Sequence, residues 1–197
     1  IVNNVLRNET VNRVYGSFAA DYSMNKWFNA AFNVGADFTS DSRKQNYERG
    51  SRTLSVGASD RTEYTTFQSD AVLNINGGDD ITDKLRLNYL VAANAFSFQR
   101  SSLGAIGTNL AFQGFVNLAN ASNITAAESL LKYTQLGFVG QIEAEWNDTF
   151  YLTLAARQDY DSRLGVPGAE FKASDYSFVY PAASLSVLVS ELLPASD

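Results

Sequence analysis

Between Thr134 and Asp161 the chain reads TQLGFVGQIEAEWNDTFYLTLAARQDYD, and its hydropathy alternates with a period of two. Leu136, Phe138, Gly140, Ile142, Ala144 and Trp146 fall on one side; Gln135, Val139, Gln141, Glu143 and Glu145 fall on the other. Asn147-Asp148 suits a tight turn. Beyond it, Phe150, Leu152, Leu154 and Ala156 oppose Thr153, Arg157 and Asp159. Successive strand side chains point to opposite faces, whereas a helix would scatter these residues around its axis. The stretch is therefore a β-hairpin with one apolar and one charged face.

The same period recurs along the chain. It predicts strands over Val11–Met24, Phe28–Thr39, Tyr64–Ile75, Lys84–Phe98 and Phe178–Ser190. The second is the cleanest: Phe28, Ala30, Phe32, Val34, Ala36 and Phe38 face away from Asn29, Asn33, Asp37 and Thr39. With the hairpin this makes about seven strands. Residues 1–10 carry no pattern. Asn25-Lys26 and Asn76-Gly77-Gly78-Asp79-Asp80 read as turns. Three polar stretches, Ser40–Thr62, Ser101–Lys132 and Ser162–Ser177, read as long loops. Within the second, Thr125-Ala-Ala-Glu128 matches a helix capping box and marks a candidate short helix. Leu192-Leu193-Pro194 ends the last strand.

Composition narrows the function. The chain has 197 residues, a net charge of −6, no histidine and no cysteine. Histidine- or cysteine-based catalysis, thiolate metal sites and disulfides are thus excluded within it. The acidic balance does not suit a nucleic-acid partner. No run of about 18 apolar residues could form a membrane helix. The start Ile-Val-Asn-Asn, without Met or a charged leader, is expected of a processed product or an interior piece of something longer.

Long strands joined alternately by tight turns and long polar loops are the pattern of an outer-membrane barrel. A strand tilted at about 45° needs roughly 9–11 residues to cross the hydrocarbon. Trp27, Phe28, Trp146, Phe150 and Tyr151 gather beside the tight turns, where aromatic rings form an interfacial girdle. Charges cannot face lipid cheaply, so Glu143, Glu145, Arg157, Asp159, Asp37 and Asp70, with Arg13, Asp21 and Arg86, are candidates to line an aqueous lumen. An odd strand number leaves open edges that lipid does not tolerate. A segment of a larger barrel is therefore expected. A soluble carbohydrate-binding β-sandwich is the alternative that the alternation alone leaves open.

Three stretches resemble the SusC-like TonB-dependent transporters. Phe150-Tyr-Leu-Thr-Leu-Ala-Ala-Arg157-Gln-Asp159-Tyr-Asp-Ser162 is similar to that family's YLxxTARNDWSS strand. Phe178-Val-Tyr-Pro181-Ala-Ala-Ser-Leu-Ser-Val-Leu-Val-Ser-Glu191 is similar to its FYPSxSLSFVFSE. Gly35-Ala-Asp-Phe-Thr-Ser-Asp-Ser-Arg43-Lys-Gln-Asn-Tyr47 resembles its GYDYxSxRxxxYxP strand end. Tyr160 stands where the family usually has Trp, and Glu48-Arg49-Gly50 lacks its Pro. The resemblance implies an all-β fold: an antiparallel transmembrane β-barrel meander, about seven strands of a plugged barrel of about 22. No plug domain is recognisable, so residues 1–197 would all be barrel wall.

That family works in the outer membrane of Gram-negative bacteria. It imports oligosaccharides or peptides, under a SusD-like surface lipoprotein lid, driven by TonB acting on the plug. The tight turns would be periplasmic and the long loops extracellular. No enzyme activity, cofactor or metal is expected. Another envelope barrel, a siderophore receptor or a secretion component, remains the second reading. Weaker patterns carry less: four glycosylation sequons, the acidic trio Asp79, Asp80 and Asp83, and the pair Glu143/Glu145. That pair sits at i, i+2 on one strand with no supporting cleft motif, which does not suit a glycosidase dyad.

Overall fold

The computed structural model describes residues 5–52, 54–165 and 173–191. Seven strands follow one another: β1 (Val5–Asn25), β2 (Phe28–Tyr47), β3 (Ala58–Thr82), β4 (Leu85–Leu110), β5 (Ala121–Trp146), β6 (Phe150–Asp161) and β7 (Ser177–Val187). They form one sheet in the order β1-β2-β3-β4-β5-β6-β7, an antiparallel meander without crossovers. β1 and β7 end the sheet, so each is paired on one side only within the chain. Short 3-10 turns lie at Leu118–Asn120, Ala173–Tyr176 and Val189–Glu191.

The strands are longer than hydropathy indicates. β4 and β5 each run 26 residues. The expected loop Ser40–Thr62 shrinks to 48–57, and Ser101–Lys132 to 111–120. β1 begins at Val5, inside the patternless stretch, and the capping-box segment from Thr125 is strand, not helix. A strand with polar residues on both faces shows no alternation, yet its backbone ladder and cross-strand pairs still hold it. Ser102 and Ser129, hydrogen-bonded across 2.7 Å, are such a pair. At the other end β7 stops at Val187, two residues before the 3-10 turn; the Leu192-Leu193-Pro194 terminator lies outside the described residues.

The tight connections are Lys26-Trp27, Asp83-Lys84 and Asn147–Thr149. Asn25 Oδ1 accepts from the amides of Trp27 and Phe28, both at 2.9 Å, and so closes the first. Asn147 and Asp148 both have φ +51°. With the Thr149 N–H donating to the Trp146 carbonyl at 3.1 Å, they make the primed turn favoured in hairpins. Asn76–Asp80 is not a turn: it lies inside β3. Its glycines answer a different demand. A Cβ on Gly77 would run into the Trp27 backbone carbonyl, and one on Gly78 into Asn88.

The chain divides into two compact units. Unit 1 comprises Ile1–Gly16, Ala36–Gln68 and Phe98–Lys132. Its centre is the docking of the 48–57 loop against the end of β4: the Leu110 amide donates to the Val56 carbonyl at 3.0 Å, and the Leu110 side chain packs on Gly57. Asn120 organises the 111–120 loop by bonding the Phe112 and Phe115 carbonyls and the Phe112 amide. Unit 2 comprises Ser17–Gly35, Ser69–Ser97 and Tyr133–Asp197. It holds the three tight turns and the β5–β6–β7 ladder.

Among the described residues the only buried hydrophobics are Ala58 and Leu110. A sandwich needs two sheets packed over an apolar core. One sheet with almost no core overturns that alternative. The apolar residues are instead displayed: Phe138 is 49% exposed, Ile142 57% and Leu154 51%. Across the same hairpin Gln135, Gln141, Glu143 and Glu145 are half-buried. The sidedness of a water-soluble sheet is inverted.

Candidate functional site

The ladder of β5, β6 and β7 fixes which side chains share a face, because directly paired residues point the same way. Glu143 pairs with Thr153, Glu145 with Tyr151, Val139 with Arg157 and Gly137 with Asp159. Arg157 in turn pairs with Tyr180, and Asp159 with Phe178. Glu143, Glu145, Arg157 and Asp159 therefore share one polar face, as the alternation indicates. Trp146 pairs with Phe150, and Phe150 with Val187, on the apolar face. Trp27 sits in the first turn and is 40% exposed; Phe28 opens β2 and is half-buried. Tyr151 stands opposite Glu145 on the polar face.

The polar face of unit 2 is a chain of neutralised charges. Arg86 meets Asp80 at 2.8 Å and Glu145 at 3.5 Å. Asn88 donates to Glu143 at 3.4 Å. Lys26 is ion-paired with Asp79, so two members of the acidic trio are occupied by cations rather than poised for calcium. Asp70 lies beside Gly35, where a Cβ would come within 2.9 Å of its Oδ1. Arg157 Nε donates to both oxygens of Asp159 at 2.9 Å.

Towards the 162–176 connection this face dips into a depression of about 260 Å³. Asn94, Gln135, Arg157 and Asp159 line it, with the exposed rings of Phe178 and Tyr180 beside them. A Cβ on the neighbouring Gly137 would strike the Asn94 side-chain oxygen. Asp161 accepts from Gln135 at 2.8 Å and from Arg163 Nε at 2.9 Å. The hydrogen bond to Asp161 raises the pKa of Arg163, a loop residue, above its usual value. The Arg163 guanidinium lies over the Tyr133 ring, 4.2 Å from its centroid.

Unit 1 carries a second polar cluster, and Asp37 belongs to it. Arg13 Nε reaches Asp37 at 2.9 Å, and Thr39 Oγ1 donates to Asp37 at 3.3 Å. Arg43 meets Asp41 at 2.6 Å and Glu9 at 3.2 Å. Arg43 and Arg100 both lie over the Tyr64 ring, at 5.1 and 4.9 Å from its centroid. Asp41 is buried, and its Oδ1 has no hydrogen-bond partner among the described residues.

Sequence reasoning did not single out Tyr64, Arg100, Asn94, Phe178 or Tyr180 as site residues. The last two were within reach, because they alternate with Val179. Asn94 and Arg100 were hidden in a stretch of β4 where hydropathy does not alternate.

The sequence matches no family model and no curated protein. Among solved structures, the chain is similar to part of a RagAB peptide transporter, with a TM-score of 0.79 at 13% identity, over 92% of this chain and 20% of that one. The RagAB peptide importer in its open-open state gives 0.73 at 14% identity, and in its closed-closed state 0.78 at 13%, with the same coverage. The fold is thus that of a segment of a transporter barrel, and the chain spans one fifth of the length of those transporter chains.

Proposed function

We propose that this chain is barrel wall of a SusC-like, TonB-dependent transporter in the outer membrane of a Gram-negative bacterium. The observation that carries the reading is the inverted sidedness of the β5–β6 hairpin. Its apolar face is exposed, while Glu143, Glu145 and Asp159 on its charged face are half-buried and held by Asn88, Arg86 and Arg157. Lipid is the solvent that suits the first, and a water-filled lumen or plug suits the second. The sequence resemblance and the likeness to the RagAB chains support the same assignment. On this reading Glu143, Glu145, Arg157, Asp159, Asp37 and Asp70 line the lumen. Trp27, Phe28, Trp146 and Phe150 lie at the periplasmic interface. Strands outside this chain pair with β1 and β7 to complete a plugged barrel of about 22 strands. A SusD-like lipoprotein closes over the long loops, TonB drives the plug, and the cargo is a peptide or an oligosaccharide.

The test is the full-length gene product expressed in a Gram-negative host. Outer-membrane fractionation, heat-modifiable migration on gels, a co-purifying lipoprotein and uptake lost on deleting TonB are the expected results. Recovery in the soluble fraction as a folded monomer would sink the proposal. A barrel that binds a siderophore and no lipoprotein would favour the receptor reading.

A further inference from the structure

Arg13, Arg43, Arg61, Arg86, Arg157 and Arg163 each meet a carboxylate. Arg100 does not: among the described residues no carboxylate lies within ion-pairing distance of it. It is exposed, and its guanidinium is held over Tyr64. Arg43 shares that ring but is already neutralised by Asp41 and Glu9. These contacts put Glu9, Asp41, Arg43, Tyr64 and Arg100 on one side of unit 1, contributed by β1, β2, β3 and β4. The Tyr64 hydroxyl has no partner among the described residues. A stacked guanidinium loses little freedom on binding, and its planar fork matches a carboxylate through two parallel hydrogen bonds. Arg43 cannot compete for such a ligand while Asp41 and Glu9 occupy it.

We infer that Arg100, on its Tyr64 platform, is a carboxylate-binding subsite that selects acidic cargo. The proposal rests on the transporter reading and deepens it by naming a charge preference. The free guanidinium supplies the attraction. The Tyr64 ring holds it in place, and the Tyr64 hydroxyl is a further donor. The carboxylate comes either from a peptide terminus or from an acidic sugar.

The experiment uses the full-length transporter purified in detergent, with direct binding read by calorimetry. One probe pair is a Gly-Ser hexapeptide with a free C-terminal carboxylate and the same peptide amidated. The other is a uronate-bearing trisaccharide and its methyl ester. In at least one pair the acid form should bind about tenfold more tightly, as suits a charge-assisted contact. The pair that discriminates identifies the source of the carboxylate. Arg100→Gln should remove the preference by weakening the acid form's binding about tenfold. Arg100→Lys should keep only part of it, and Tyr64→Leu should weaken it. Heat-modifiable migration checks the folding of each variant. In the unmodified protein, added salt should shrink the acid-over-neutral difference, a measurement that needs no variant. Equal binding of acid and neutral forms, binding of neither, or a preference that survives in Arg100→Gln overturns the inference. Outer-membrane location and uptake, measured separately, tell that failure apart from failure of the transporter reading.

Discussion

Tyr89 donates its hydroxyl proton to the backbone carbonyl of Trp27 at 2.5 Å, tying β4 to the first tight turn. Asn88, its neighbour, reaches Glu143 on the polar face, so Tyr89 points to the apolar one. An aromatic body in the apolar layer with its hydroxyl on a turn is the arrangement that tyrosine suits at an interface. Tyr89→Phe removes one hydrogen bond and should cost about 1 kcal/mol. Urea unfolding of the full-length protein in phospholipid vesicles measures this. Proteolysis at Lys26 should speed up in parallel.

The apolar face makes the sharpest prediction. Ile142 and Leu154 are paired and largely exposed. In water, replacing either with Arg would change stability by no more than about 0.5 kcal/mol. In lipid the same change should cost about 2–4 kcal/mol near the midplane. Refolding of Ile142→Arg into vesicles, followed by tryptophan fluorescence, separates the two. A neutral result would place this face in water.

Two glycines should respond oppositely. At Gly77 a Cβ meets the Trp27 backbone carbonyl, which has no flexible end to move aside. Gly77→Ala should therefore cost about 1–3 kcal/mol through backbone displacement. At Gly140 nothing lies within 4 Å of the added Cβ. Gly140→Ala should be neutral or stabilise by up to about 1 kcal/mol, since glycine weakens a strand interior. Denaturation midpoints of the two variants decide.

The hairpin turn gives a fourth test. Asn147 and Asp148 both sit at φ +51°, where branched side chains are strained. Asn147→Val should cost about 1–2 kcal/mol, whereas Asp148→Gly should be close to neutral. Refolding yields into vesicles should follow the same order.

Much of the fold was legible, and for a definite reason. Where one face of a strand meets an apolar medium and the other does not, hydropathy must alternate, and β2, β5 and β6 showed it. Where strands run on with polar residues on both faces, as in β5 from Ala121 to Lys132, that signal is absent. Such strands look like loops in the sequence. The glycines of Asn76–Asp80 misled in another way. Glycine marks both turns and close backbone approach, and only the neighbouring strand says which.

Sequence alone determined the all-β class, the seven strands, the hairpin's sidedness and the exclusion of histidine and cysteine chemistry. These follow from local periodicity and composition. Tertiary structure alone decided what depends on partners distant in the chain. It set Tyr151 opposite Glu145 on the polar face. It matched Arg86 to Glu145 across 59 positions and Tyr89 to Trp27 across 62. It also left Arg100 over Tyr64 with no carboxylate in ion-pairing distance among the described residues. Alternation tells a residue its face but not its neighbour, because strand register is set between chain segments and not within one.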